Sequence, residues 1–342
     1  MGRIRPKVCL LASVLALTSA AAKAQSVENF YHGTSLKMVI GAGPGGGHDA
    51  YARVLARYWG AHVPGNPTLV PQNMPGANGL RATNFIYAVA PKDGSVVGLT
   101  NGVMTLQPLF TKEGIQFDPL KLNWLGAMQR QNNLCVTWHT SPIKTIQDAQ
   151  QHEATVSSTG ATGARTTVPK LLNAVIGTKF KVITGYETAG QTLAVERGEV
   201  DGLCGASYST LITSSPAWIT EKKVNFLAQL TLVKDPHLPD VPMVIDMVKD
   251  ADTRNMLGLI LTVQEVGRPV IAPPDLPSDR LTALQDSFVA TMKDPRFLAE
   301  ANKLQLDISV SDHTAIERLL KAAYAAPKDV VERAAPFISA GD

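Results

Sequence analysis

Cysteine, aromatic residues and charge are all scarce in this chain. Of 342 residues three are cysteine, 6% are aromatic and 18% are charged. So few cysteines exclude a disulfide-stapled scaffold. Cys135 and Cys204, the two outside the N-terminal stretch, cannot alone form a tetrahedral zinc site, and no histidine pair at ligand spacing accompanies them. Long apolar runs are equally rare: beyond the N-terminus no stretch of 18 apolar residues occurs. A strong charge of one sign is missing too. With Arg3, Arg5, Lys7 and Lys23 set aside, the formal +3 becomes −1, which gives no strong attraction to nucleic acid or anionic lipid. The 45% of apolar residues excludes a disordered chain, and the length suits two domains of roughly 100–200 residues each.

Residues 1–24 read as a secretory signal peptide. Arg3, Arg5 and Lys7 precede an apolar run over 8–22, and Ala22-Lys23-Ala24 supplies a small-x-small cleavage site before Gln25. The run falls short of the roughly 20 residues of a membrane span, which argues against an uncleaved anchor. In an oxidising compartment Cys135 and Cys204 have two fates. They form one disulfide, or they stay two buried thiols within their apolar runs.

From residue 36 onward strands and helices alternate. Leu36–Gly41 is a buried-strand run ended by glycines, followed by a helix to Trp59 with Tyr51, Val54, Leu55 and Tyr58 on one face. Thr68–Asn73 and Val96–Thr100 continue the pattern, which predicts a parallel sheet with right-handed crossovers. After a polar tract at Gln129–Asn133 the pattern restarts with Leu134–Trp138, Thr155–Ser158, Phe180–Thr184, Gly202–Ala206 and Asn225–Thr231. Thr188 and Gln191 match a capping box, and Gly198 suits the end of that helix. The expected architecture is α/β with two lobes: 25–130 and 233–342 in one, 131–232 in the other.

Three strand–glycine turn–helix junctions, at 43–49, 75–79 and 159–165, would present unpaired backbone N–H groups at the positive ends of helices. Such ends bind carboxylate or phosphate. Gly41-Ala42-Gly43-Pro44-Gly45-Gly46 spells a dinucleotide-binding motif, yet Thr68–Asn73 has no carboxylate for a ribose and Asp49 would repel a pyrophosphate. No Gly-Lys-Ser/Thr follows, which excludes a nucleotide-hydrolase phosphate loop.

The segment Gly45-Gly46-Gly47-His48-Asp49-Ala50-Tyr51-Ala52-Arg53 resembles the Gly-Gly-x-x-Asp-x-x-Ala-Arg opening of the tripartite tricarboxylate transporter receptors, often called Bug receptors. Asn73-Met74-Pro75-Gly76-Ala77-Asn78-Gly79, Pro91-Lys92-Asp93-Gly94, Ser158-Thr159-Gly160, Gly198–Asp201 and Leu238–Pro242 resemble further motifs of that family, in family order from about 36 to 330. The resemblance implies a two-lobed type II periplasmic-binding-protein fold, each lobe a mainly parallel sheet flanked by helices. It also implies a monomer without cofactor that closes on a small organic carboxylate and delivers it to a membrane permease. It implies a site with Gly45, Gly46, Asp49 and Asn101 on one wall, and Thr159, Gly160, Thr162, Tyr186 and Thr188 on the other. His48 and Arg165 join this set by position. Gly185-Tyr186-Glu187-Thr188 departs from the family's Pro-Tyr-x-Gly turn.

Catalysis finds little support. Ser207 lacks the second glycine of a nucleophile elbow, and Ser311-Asp312-His313 are chain neighbours that read as a helix N-cap. A ligand sensor feeding a signalling system and an exported hydrolase stand as the alternatives to a transport receptor.

Overall fold

The computed structural model describes residues 26–160 and 163–338; the leader over 1–24 and Thr162 lie outside them. The chain first forms strands β1 (Ser35–Ile40), β2 (Thr68–Asn73), β3 (Val96–Leu99) and β4 (Asn123–Gln129). It then forms β5 (Asn133–Trp138), β6 (Ala154–Ser157), β7 (Phe180–Ile183), β8 (Gly202–Ala206) and β9 (Val224–Leu230), and returns as β10 (Gly267–Ala272) and β11 (Ser311–Asp312). One sheet has the order β11-β4-β10-β3-β1-β2 and the other β7-β6-β8-β5-β9.

The two sheets share one scheme. In the first, β1 pairs in parallel with β2 and β3, and β10 runs antiparallel to β3 and β4. In the second, β6 pairs in parallel with β7 and β8, and β5 runs antiparallel to β8 and β9. Four strands of each sheet therefore share a direction, and helices flank both sheets. The two-lobed α/β fold is as expected, with one addition: a reversed strand sits inside each sheet.

Local sequence explains most elements. Leu36, Met38, Val39 and Ile40 of β1 are fully buried, as in a strand covered on both faces. The following Gly47–Trp59 helix buries Tyr51, Val54, Leu55 and Trp59, each contributing about 1.5–3 kcal/mol on burial. Thr145 and Asp148 form a reciprocal capping box on the Ile146–Gln151 helix. The N-cap expected at Thr188 lies one residue earlier. Extended Glu187 is the N-cap there, which makes Thr188 the first helical residue and removes it from the capping position.

Packing runs across the two sheets. The Ala251–Glu265 helix carries Met256, Leu257 and Leu261 into one core cluster with Cys135, Val156 and Leu172 around the second sheet, Leu106 beside the first, and Val330 and Ala334 near the C-terminus. Residues 244–261 and 323–334, expected with the first lobe, thus share a core with the second sheet. Cys135 and Cys204 are Cα partners on β5 and β8, 4.0 Å apart, and are joined by a disulfide.

Candidate functional site

Strand direction gathers the loops that matter. The turns after β1, β2 and β3 leave from one edge of the first sheet, and reversed β10 begins at that same edge. Val270 lies opposite Leu99, and Gly267 opposite Gln129 at the end of β4. The second sheet does likewise: β5 begins with Asn133 opposite Leu230, and Leu134 opposite Ala206. A cavity of about 530 Å³ lies among these ends. Gly47, His48, Asn101 and Arg268 line it from the first sheet, and Thr167, Gly205, Ser207 and Thr210 from the second. Gln129, Gln131, Asn133 and Gln264 supply amides from the segments that join the sheets, while Leu171, Ile260, Phe337 and Ile338 form an apolar flank. No Asp or Glu belongs to the lining among the described residues.

The sequence-derived residues divide into those facing the cavity and those beside it. His48 and Asn101 line it. Asn101 caps a turn by accepting from the Val103 N–H (3.0 Å), and its Nδ2 donates to Asn78 Oδ1 (2.8 Å), which ties two edge loops together. Gly45, at φ +82°, donates its N–H to Asp49 Oδ2 (2.9 Å), and Gly46 is the N-cap of the Gly47–Trp59 helix. Asp49 turns inward. Its carboxylate accepts from Arg53 Nε (2.9 Å) and Asn73 Nδ2 (2.8 Å), and it lies outside the lining. The Arg53 hydrogen bond, opposed by burial and aided by Gly45 and Asn73, holds the Asp49 carboxyl down to about 2.

On the second sheet Thr159, Gly160, Arg165 and Tyr186 follow the strand ends but lie outside the cavity lining. Thr159 is exposed, and the Gly160 carbonyl accepts from Thr166 Oγ1 (2.6 Å). The Tyr186 N–H donates to the Ser158 carbonyl (3.3 Å), and Arg165 is the half-buried second residue of the Ala164–Ile176 helix. That helix reaches the cavity through Ala164 and Thr167 instead.

Sequence reasoning missed Arg268. Its Nη1 donates to His48 Nε2 (3.3 Å), and its guanidinium lies 5.4 Å from the centre of the Tyr51 ring. Burial, then the neighbouring Arg268, pushes the His48 imidazole down to about 4, so the ring is neutral at pH 7. Burial also lowers the Arg268 pKa and raises that of Tyr51 to about 12. The polar tract Gln129–Asn133 was visible in the sequence as a break between strand patterns, and it is this tract that reaches the cavity.

The arrangement offers donors, and Ser207 and Asp312, from the two segments weighed for catalysis, cap helices. Ser207 Oγ is within hydrogen-bond distance of Ser209 and Thr210 hydroxyls and caps the Thr210 N–H (3.1 Å). Asp312 caps its helix through the Ala315 N–H, while Ser311 Oγ donates to the Glu265 carbonyl. No group of three potential metal ligands occurs among the described residues.

The family described as "Tripartite tricarboxylate transporter family receptor" matches residues 52–335. The chain belongs to it. Its fold and family are those of solute-binding receptors. A curated relative, the UPF0065 protein in the gbd 5'region of Cupriavidus necator, is 25% identical, over 87% of this chain and 86% of its own. A TctC solute-binding protein from Polaromonas superposes with a TM-score of 0.70 at 16% identity, covering 89% of this chain and 99% of that one. An R. palustris protein solved with adipate gives 0.56 at 17% identity, covering 88% and 97%. These structures share the fold. No helix among the described residues is long and apolar enough to cross a membrane.

Proposed function

We propose that this receptor is exported, loses residues 1–24, and binds a small organic carboxylate between its two sheets for delivery to a membrane permease. The observation that carries the reading is the cavity's chemistry. Hydroxyls, carboxamides and two helix starts converge on it from both sheets, and no described acidic side chain faces it. The adipate held by the R. palustris neighbour is ligand chemistry of this kind. Gly45, Gly46 and Asp49 then act by shaping the turn that presents Gly47 and His48, rather than by touching the ligand. Closure of the two lobes about Gln129–Asn133 and the segment after β9 would complete the site.

A thermal-shift screen of mono-, di- and tricarboxylates against the purified mature chain tests this. A ligand at 100 times its Kd should add about 2.7 kcal/mol of stability without being converted. Absence of stabilisation across the panel, or turnover of a stabilising compound, would overturn the reading.

A further inference from the structure

A guanidinium in the lining has no counter-charge. Arg268 sits at the start of β10 with φ +56°, a left-handed conformation that side chains of this size rarely adopt. Among the described residues no carboxylate pairs with it, and its Nε is buried without a hydrogen-bond partner. Asp49, next to His48 in the sequence, is committed to Arg53, Asn73 and Gly45.

Its surroundings make the charge more costly still. The guanidinium lies against the first residue of the Gly47–Trp59 helix, where a Cβ built on Gly47 would be 3.4 Å from Nη2. The amides of Gly47, His48 and Asp49 precede the first helical bond, from the Ala50 N–H to the Gly46 carbonyl. A helix N-terminus is itself positive, so two like-signed groups meet at the cavity wall. An anion between them relieves both. Nη1 is already occupied by His48, which leaves the Nε–Nη2 edge, the side on which a carboxylate docks through two parallel bonds.

We propose that Arg268 is the residue that holds the ligand's carboxylate, through its Nε–Nη2 edge and beside the amides of Gly47 and His48. The proposal rests on the carboxylate-receptor reading and adds the anchor to it. Neutral His48 accepts from Nη1 and so fixes the plane of the fork.

The test is calorimetry with adipate, malate, succinate, citrate and hexanoate on wild type, Arg268→Gln and Arg268→Lys, with adipamide as the uncharged control. For the tightest acid, Arg268→Gln should weaken binding at least about 30-fold, the scale of a lost buried charge partner. Arg268→Lys, which keeps the charge but not the fork, should fall between. Loss below tenfold in a folded Arg268→Gln protein overturns the anchor and leaves the receptor reading standing. Should the variant not fold, the wild-type Arg268 Nε–H resonance decides: it should move downfield with saturating acid, and an unmoved signal overturns the proposal. Adipamide binding as tightly as adipate, or no acid binding wild type, removes the carboxylate reading and the anchor with it.

Discussion

Arg130 Nε and the carboxylate of Glu265 lie 3.7 Å apart where the chain passes from one sheet to the other. Glu265 Oε1 also accepts from Thr231 Oγ1 (3.1 Å) and the Leu232 N–H (2.9 Å), just after β9. One buried carboxylate therefore touches both connections between the sheets. Arg130 is held further by Ser311 Oγ (3.0 Å) and the Val310 carbonyl (2.8 Å), and the Gln131 N–H donates to the Gln264 carbonyl (2.7 Å).

Glu265→Ala should cost about 1–3 kcal/mol in denaturant unfolding, because it leaves the Thr231 hydroxyl and the Leu232 N–H without their acceptor. Glu265→Gln, which keeps the shape and an acceptor oxygen, should cost less. Equal losses for the two variants would show that the charge, not the acceptor oxygen, matters at this node.

Asp49 gives an acid-limb prediction. Its folded pKa is depressed to about 2 from 3.8, so the unfolded chain takes up the proton first as pH falls. The stability it contributes is whole above about pH 4 and disappears as pH falls toward about 2. The margin of wild type over Asp49→Asn in acid titration of unfolding should be constant from neutral pH to about 5 and shrink below it.

His48 works in the same sense, over a higher pH window. Its folded pKa is lowered to about 4 from 6.5 by burial and by Arg268, so protonation favours the unfolded chain. Stability from keeping the ring neutral is present above about pH 6.5 and declines as pH falls to about 4. His48→Gln should flatten that decline in the melting temperature difference between the two proteins, while leaving the slope above pH 7 unchanged.

The Cys135–Cys204 bridge closes a sequence separation of 69 residues. A disulfide typically stabilises by about 2–4 kcal/mol, mainly by restricting the unfolded chain. The Cys135→Ala/Cys204→Ala double variant should lose an amount in this range, and a reducing agent should lower wild type but not the variant.

Where the fold was legible, pattern and packing agreed. β1, β2 and β8 fall within a residue of their sequence-read bounds, because each is a short apolar or β-branched run ended by a turn. Several elements stayed hidden, three of them for distinct reasons. The Ala251–Glu265 helix holds the run Met256–Val263, apolar on every side, and its burial between two sheets erases the 3.6-residue rhythm. β10 opens Gly267-Arg268-Pro269, and proline argues against a central strand, yet Pro269 sits opposite Ala127 there. β4 carries Gly126 in its middle, where a Cβ would meet the Phe288 ring, so its glycine reads as a break while it serves close packing. The site follows the same logic. Glycine turns are visible in a sequence, but the cation that faces them enters from a strand more than two hundred residues away, and only sheet order brings the two together.

The apolar flank of the cavity has a practical side. Phe337 and Ile338 belong to it, and they follow the Lys328–Ala334 helix, whose Val330 and Ala334 pack into the core shared with the second sheet. A version of the protein cut back before Phe337 therefore lacks part of the chamber wall, and affinities measured on it describe an opened cavity.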